Sequence, residues 1–154
     1  IICSGGSVWA YNDPKGYAML SNNKNAKKLA ECLMKEGFRL VSGGTDNHLM
    51  LVDLSDKGVN GQESADLLEE SGIIVNKNLV PYDTKPPTQC SGIRPGTPAI
   101  TTREMREPEM EQIGMMISRV LKHPKNAKIR AEVRQEVMEL CRNFPIYQDI
   151  DIWR

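Results

Sequence analysis

The chain has 154 residues, 40% hydrophobic and 26% charged, and its 20 Lys plus Arg are balanced by 20 Asp plus Glu. That length suits one domain that buries a core without staples, and the composition is that of an ordinary soluble domain. Zero net charge with no basic stripe excludes a nucleic-acid binder. No apolar run approaches bilayer length and no signal-peptide pattern opens the chain, so the expected setting is cytoplasmic with no membrane partner.

The four cysteines, Cys3, Cys32, Cys90 and Cys141, are too far apart for a Cys-x-x-Cys metal pair, and no metal site is expected. Cys32 and Cys141 fall on apolar helical stripes, where a free thiol behaves as a small hydrophobe. Reduced thiols and a reducing compartment follow.

Residues 1–20 show no sustained period. Gly5-Gly6, Asp13-Pro14 and Gly16 punctuate them as turns, and they read as an N-terminal segment or linker ahead of a domain over 21–154. From Ser21 the spacing of Ala26, Leu29, Ala30, Leu33 and Met34 predicts a helix, capped by Ser21 or Asn22 and ended by Gly37. A strand over 38–42, a turn over 43–47 and a strand over 48–54 read as a hairpin, with Leu49, Leu51 and Asp53 on one face. A short helix over 62–71 carries Ala65, Leu67 and Leu68 and closes at Gly72; 73–75 is a brief strand. Residues 76–98 hold five prolines, Pro81, Pro86, Pro87, Pro95 and Pro98, and read as one long irregular segment of the kind that often carries function. Glu107-Pro108 opens a helix with the stripe Ile113, Met116, Ile117, Val120 and Leu121. The last helix, 126–142, buries Ile129, Val133, Val137, Leu140 and Cys141. The order predicts a small two-layer α+β unit, a short and mainly antiparallel sheet with helices on one face.

Three stretches can carry chemistry. In Ser91-Gly92-Ile93-Arg94-Pro95-Gly96 an arginine stands among glycines and prolines. Such a held guanidinium suits bidentate capture of a carboxylate or phosphate, although a purely structural arginine fits the same residues. Asn76-Lys77-Asn78 offers two amides beside an ammonium, suited to a polar heterocycle, or is simply an Asn-rich turn. Gly43-Gly44-Thr45-Asp46-Asn47-His48 is a turn whose Asp and His can serve acid–base work or structure alone. No Ser/His/Asp pattern and no phosphate-binding loop motif occurs.

Taken together, Leu40-Val41-Ser42-Gly43-Gly44-Thr45-Asp46-Asn47-His48-Leu49, Val75-Asn76-Lys77-Asn78 with Pro81, and Ser91-Gly92-Ile93-Arg94-Pro95-Gly96-Thr97-Pro98-Ala99-Ile100-Thr101-Thr102-Arg103 resemble serine hydroxymethyltransferase in order and spacing. The helix at Asn25-Ala26-Lys27-Lys28-Leu29-Ala30 and the ending Phe144-Pro145-Ile146-Tyr147 extend the likeness from about Asn22 to Tyr147. The resemblance implies the C-terminal small domain of a type I pyridoxal-phosphate enzyme of the aspartate-aminotransferase-like fold. Such an enzyme interconverts serine plus tetrahydrofolate with glycine plus methylenetetrahydrofolate.

On the same resemblance, Arg94 grips the α-carboxylate of serine or glycine, Asn78 hydrogen-bonds the folate, and Lys85 lies more loosely near the folate tail. Thr45, Asp46 and His48 support Arg94 without a chemical step of their own. No catalytic group is assigned within the chain: the family's Schiff-base lysine, in its Thr-Thr-rich segment, has no counterpart here. The implied partners are the family's large N-terminal domain and a homodimer or homotetramer. The chain alone is expected to be inactive and to hold neither pyridoxal phosphate nor tetrahydrofolate tightly. Glu104 departs from the family pattern, which commonly has glycine after Thr-Thr-Arg, a change with no functional meaning in the sequence. Two alternatives remain at this level: a stand-alone binding or scaffolding module derived from that family, and one half of a two-polypeptide enzyme.

Overall fold

The structure, a computed structural model, describes residues 17–145. The turns at Gly5-Gly6, Asp13-Pro14 and Gly16, the thiol of Cys3 and the Ile146-Tyr147 ending lie outside these residues. Five helices, α1 (Tyr17–Lys35), α2 (Gly61–Glu70), α3 (Pro98–Thr102), α4 (Glu107–Lys122) and α5 (Ala127–Asn143), accompany a four-stranded sheet of β1 (Arg39–Leu40), β2 (Val52–Asp53), β3 (Asn76–Asn78) and β4 (Gly92–Arg94). The strand order is β1-β2-β4-β3 and every pairing is antiparallel, which is the α+β architecture expected. No helix among the described residues is long and apolar enough to cross a membrane.

The core is built largely where the helical stripes predicted it, although Ile129 and Cys141 of α5, expected to be buried, are only partly covered. Ala26, Leu29, Ala30 and Leu33 of α1 are buried with Ile113, Met116, Ile117, Val120 and Leu121 of α4, and Val133, Val137 and Leu140 close the cluster from α5. Each fully buried Leu or Ile stabilises by about 1.5–3 kcal/mol. Gly114 lets α1 and α4 approach closely, since a Cβ there would meet the Cys32 sulfur at 2.6 Å. Cys32, Cys90 and Cys141 are free thiols.

Several boundaries differ from the sequence reading. The first helix begins at Tyr17, ahead of the expected Ser21 or Asn22 cap. Met34 is 37% exposed, because it faces an open cavity while Leu33 beside it stays fully buried. In the β2 segment Met50, Val52 and Leu54 fill the core, so the face bearing Leu49, Leu51 and Asp53 is the outer one. The strand expected at 73–75 falls instead on Asn76–Asn78. The stretch read as one irregular segment supplies two strands and the start of α3, and its Gly92–Arg94 is an inner strand of the sheet. Three residues with one glycine among them and Pro95 next after them have little strand propensity of their own; pairing on both sides makes them a strand.

Three helices end in the same hydrogen-bonded motif. In α1, Gly37 N–H donates to the Met34 carbonyl and Phe38 N–H to that of Leu33; in α2, Gly72 pairs with Glu69 and Ile73 with Leu68. In α3, Glu104 N–H donates to Thr101 and Met105 N–H to Ile100. This closure requires a left-handed residue just past the helix. Gly37 and Gly72 provide it at φ 87° and 82°, whereas the third position is Glu104 at φ 66°. The glutamate is therefore a strained cap. A left-handed L-residue costs about 1–2 kcal/mol, and glycine returns roughly 0.5–1 kcal/mol of that through its looser unfolded chain. Glu104→Gly is expected to stabilise the chain by about 0.5–1 kcal/mol in urea unfolding; a destabilised variant would contradict this account of the cap.

Candidate functional site

β4 brings Arg94 into the middle of the sheet. Register pairs Ile93 with Val52, Arg94 with Asn76 and Gly92 with Asn78. Side chains alternate along a strand, so Arg94 and Asn78 share one face of the sheet while Leu40, Val52 and Ile93 point to the core side. Gly92 fits because its backbone is crowded: a Cβ there would stand 2.8 Å from the Val52 carbonyl oxygen and 2.8 Å from Val80 Cγ1.

Arg94 lines an open cavity of about 610 Å³ between α1 and the turn after β1. Lys27, Glu31 and Met34 wall it on the helix side; Gly43, Thr45 and Asp46 wall it on the turn side. Arg94 Nε is buried and has no hydrogen-bond partner. Among the described residues no carboxylate forms an ion pair with it. That nitrogen is closed to water, so an incoming anion would meet the part of the Arg94 side chain that lines the cavity, whose charge is balanced by no acid among the described residues.

The 43–48 turn is tied to the chain just beyond Arg94. Thr97 N–H donates to the His48 carbonyl, Met50 N–H donates to the Pro95 carbonyl, and Leu49 bridges Gly96. The turn is closed internally: Thr45 Oγ1 donates to the Leu49 carbonyl at 2.5 Å, and Leu49 N–H donates to Asn47 Oδ1 at 2.8 Å. Thr45 and Asp46 thus line the cavity, while the His48 backbone anchors the strand that leaves Arg94. On the other side Asn22 Oδ1 accepts from Thr97 Oγ1 at 2.5 Å, and the fully buried Asn25 donates to Thr101 Oγ1 and the Met105 carbonyl, both at 2.9 Å. These two asparagines, for which the sequence suggested no such contact, fasten α1 to the segment after Arg94. Arg103 of the Thr-Thr-Arg run is structural: it donates to the Phe144 carbonyl at 2.7 Å at the end of α5.

Asn78 and Lys85 stand apart from that cavity. Asn78, half-buried at the end of β3, donates from Nδ2 to the Leu79 carbonyl at 2.8 Å. Lys85 lies in the loop 79–91, half-buried, with its backbone N–H donating to Asp83 Oδ1 at 3.0 Å. Asp83 itself gave no motif signal; only the loop's need for an internal acceptor could have drawn attention to it. Burial works to raise its carboxyl pKa, but the hydrogen bonds from Lys85 N–H, Ser91 Oγ, Val80 N–H and Ser91 N–H outweigh burial and hold it at about 2, against an ordinary 3.8. A lowered folded value means the contribution to stability is fully present above 3.8 and is lost as the pH falls through about 2. The Asp83 carboxyl carbon, followed by NMR in the folded chain, is expected to titrate near 2; a midpoint at 3.8 or above would contradict these bonds. No cluster of three His, Cys, Asp or Glu side chains suited to a metal occurs among the described residues.

The family model of serine hydroxymethyltransferase matches residues 11–117. The chain belongs to the serine hydroxymethyltransferase family. A serine hydroxymethyltransferase of Koribacter versatilis (strain Ellin345) is 50% identical over 125 residues, which cover 81% of this chain and 29% of that relative. The chain thus spans less than a third of the relative's length. For a serine hydroxymethyltransferase sequence, the matched stretch holds the whole cavity around Arg94, the Asn78 strand and the Asp83 loop, all within 11–117.

Proposed function

We propose that this chain serves as the C-terminal, substrate-gripping part of a serine hydroxymethyltransferase that interconverts serine plus tetrahydrofolate with glycine plus methylenetetrahydrofolate. Arg94 binds the amino acid's α-carboxylate; Asn78 and, at the folate tail, Lys85 contact tetrahydrofolate. The observation that carries the reading is that Arg94 lines an open cavity with no carboxylate paired to it among the described residues, in a chain of this family. A charge-assisted guanidinium–carboxylate pair fixes both the position and the plane of the acid. Fixing it sets the direction of the bond to be broken at the neighbouring carbon and lowers the entropic part of the barrier. Thr45, Asp46 and His48 act by holding the turn against the strand that bears Arg94.

Pyridoxal phosphate would supply the electron sink for this chemistry. No residue of this chain is assigned to hold it: the guanidinium here suits the amino acid, and the cofactor's lysine and phosphate contacts fall to the family's large domain. We accordingly expect the 154 residues alone to be inactive, and the complete enzyme to be a cytoplasmic homodimer or homotetramer.

The test uses the Koribacter versatilis enzyme with residues 22–145 of this chain in place of its own matching stretch. Serine and glycine are titrated into this hybrid with and without Arg94→Ala. Equal affinities would overturn the assignment, and a hybrid that binds neither amino acid would favour a derived scaffolding module.

A further inference from the structure

The loop 79–91 joins β3, which ends at Asn78, to β4, which carries Arg94. It presents Leu79 and a fully exposed Tyr82, the latter at φ 59°, so apolar burial does little to order its tip. Polar contacts do that instead. Asp83 Oδ2 accepts from Val80 N–H at 3.2 Å and from Ser91 N–H at 2.7 Å. Its Oδ1 accepts from Lys85 N–H at 3.0 Å and from Ser91 Oγ at 2.7 Å. One carboxylate therefore gathers both ends of the stretch that runs from Val80, two residues after Asn78, to Lys85 and fastens it to the entry of β4. Lys77 Nζ, donating to the Thr88 carbonyl at 3.0 Å, secures only the far half of the loop.

We propose that Asp83 is a positioning residue for tetrahydrofolate, setting through four hydrogen bonds where Asn78 and Lys85 meet that ligand. The inference rests on the folate role given to those two residues above. Its chemistry follows from acceptor count. An ionised carboxylate offers only acceptors, and all four donors aim at it. An asparagine would keep one acceptor oxygen and turn an NH2 donor toward backbone N–H donors. Arg94 is insulated from such a change. Its strand is paired to Asn76 on one side and, through Ile93 with Val52 and Pro95 with Met50, to β2 and the segment before it on the other.

The experiment measures the serine Kd, the tetrahydrofolate KM, kcat and thermal midpoint in the hybrid enzyme for Asp83→Asn, Ser91→Ala and Asn78→Ala. Asp83→Asn is expected to raise the folate KM roughly tenfold or more, the scale of one lost charge-assisted hydrogen bond. Serine Kd and kcat at saturating folate stay within about twofold of the parent, because the interaction lost is one of binding and lies away from the amino acid. Ser91→Ala, which removes one donor and keeps the carboxylate, shifts the folate KM in the same direction by roughly threefold, and decides the matter if Asp83→Asn does not fold. If Asn78→Ala raises the folate KM and Asp83→Asn with Ser91→Ala do not, the folate reading stands and Asp83 loses its role. If serine and folate affinities fall together with the thermal midpoint, Asp83 is merely structural and the proposal is overturned. If Asn78→Ala leaves the folate KM unchanged, the folate reading and the Asp83 proposal fall together.

Discussion

In the hybrid enzyme, Arg94→Ala is expected to weaken serine and glycine binding between roughly thirtyfold and several thousandfold, the equivalent of about 2–5 kcal/mol for removing one member of a buried charged pair. The reason for expecting so large a loss is that Arg94 lines the cavity with no acid paired to it among the described residues, so the bound acid supplies the counter-charge the arginine lacks. Arg94→Lys restores a charge without the fork and should recover only part of the loss. The loss should also depend on the ligand: an amino alcohol lacking the carboxylate should bind parent and Arg94→Ala alike. Equal weakening of both ligands would mean that the arginine shapes the cavity and does not grip the acid.

Gly61→Ala is expected to destabilise the 154-residue chain by about 3 kcal/mol, at the upper end for overpacking, in urea unfolding with an unchanged slope. Gly61 opens α2 in an ordinary right-handed conformation, so nothing in its own backbone calls for glycine. The constraint comes from β4: a Cβ on Gly61 would lie 2.3 Å from the Gly92 carbonyl oxygen and 3.3 Å from Cys90 Cβ. Gly61 N–H donates to the Cys90 carbonyl and Gln62 N–H to that of Gln89, so the helix start is bonded to the residues that lead into the strand it would push away. Alanine's better helix propensity, at most ~1 kcal/mol, is too small to offset an overlap with backbone. Because the displaced strand carries Arg94, the same substitution in the hybrid should also weaken serine binding. A variant as stable as the parent would show that α2 and β4 can separate freely.

The four longer helices were legible because their signal is local; the five-residue α3 was not read from the sequence. The stripes of α4 and α5 repeat within a few residues, and Asn126 caps α5 through Lys128 N–H and Ile129 N–H as its position before the stripe suggests. Family membership was legible for a similar reason: the stretches about Thr45, Asn78 and Arg94 are short, contiguous and unusual in composition.

Other features were out of reach of any local pattern. Asp83 is one aspartate in a loop until its four donors are placed around it. Glu104 is a plain surface glutamate until its φ of 66° shows it doing a glycine's work at a helix end. Gly61 and Gly92 are thirty-one positions apart in sequence, and the need for glycine at Gly61 shows only once the Gly92 carbonyl is placed beside it.

The amino-acid sequence alone showed most of the helical faces and the family, and singled out Arg94 as a candidate. Tertiary structure decided that the segment before Pro95 is an inner strand, and that Arg94 pairs with no acid among the described residues. Strands of two or three residues hold too few hydrogen bonds to exist by themselves. Their existence and register come from partners far away in the chain, and no window along the sequence contains both sides of those pairs.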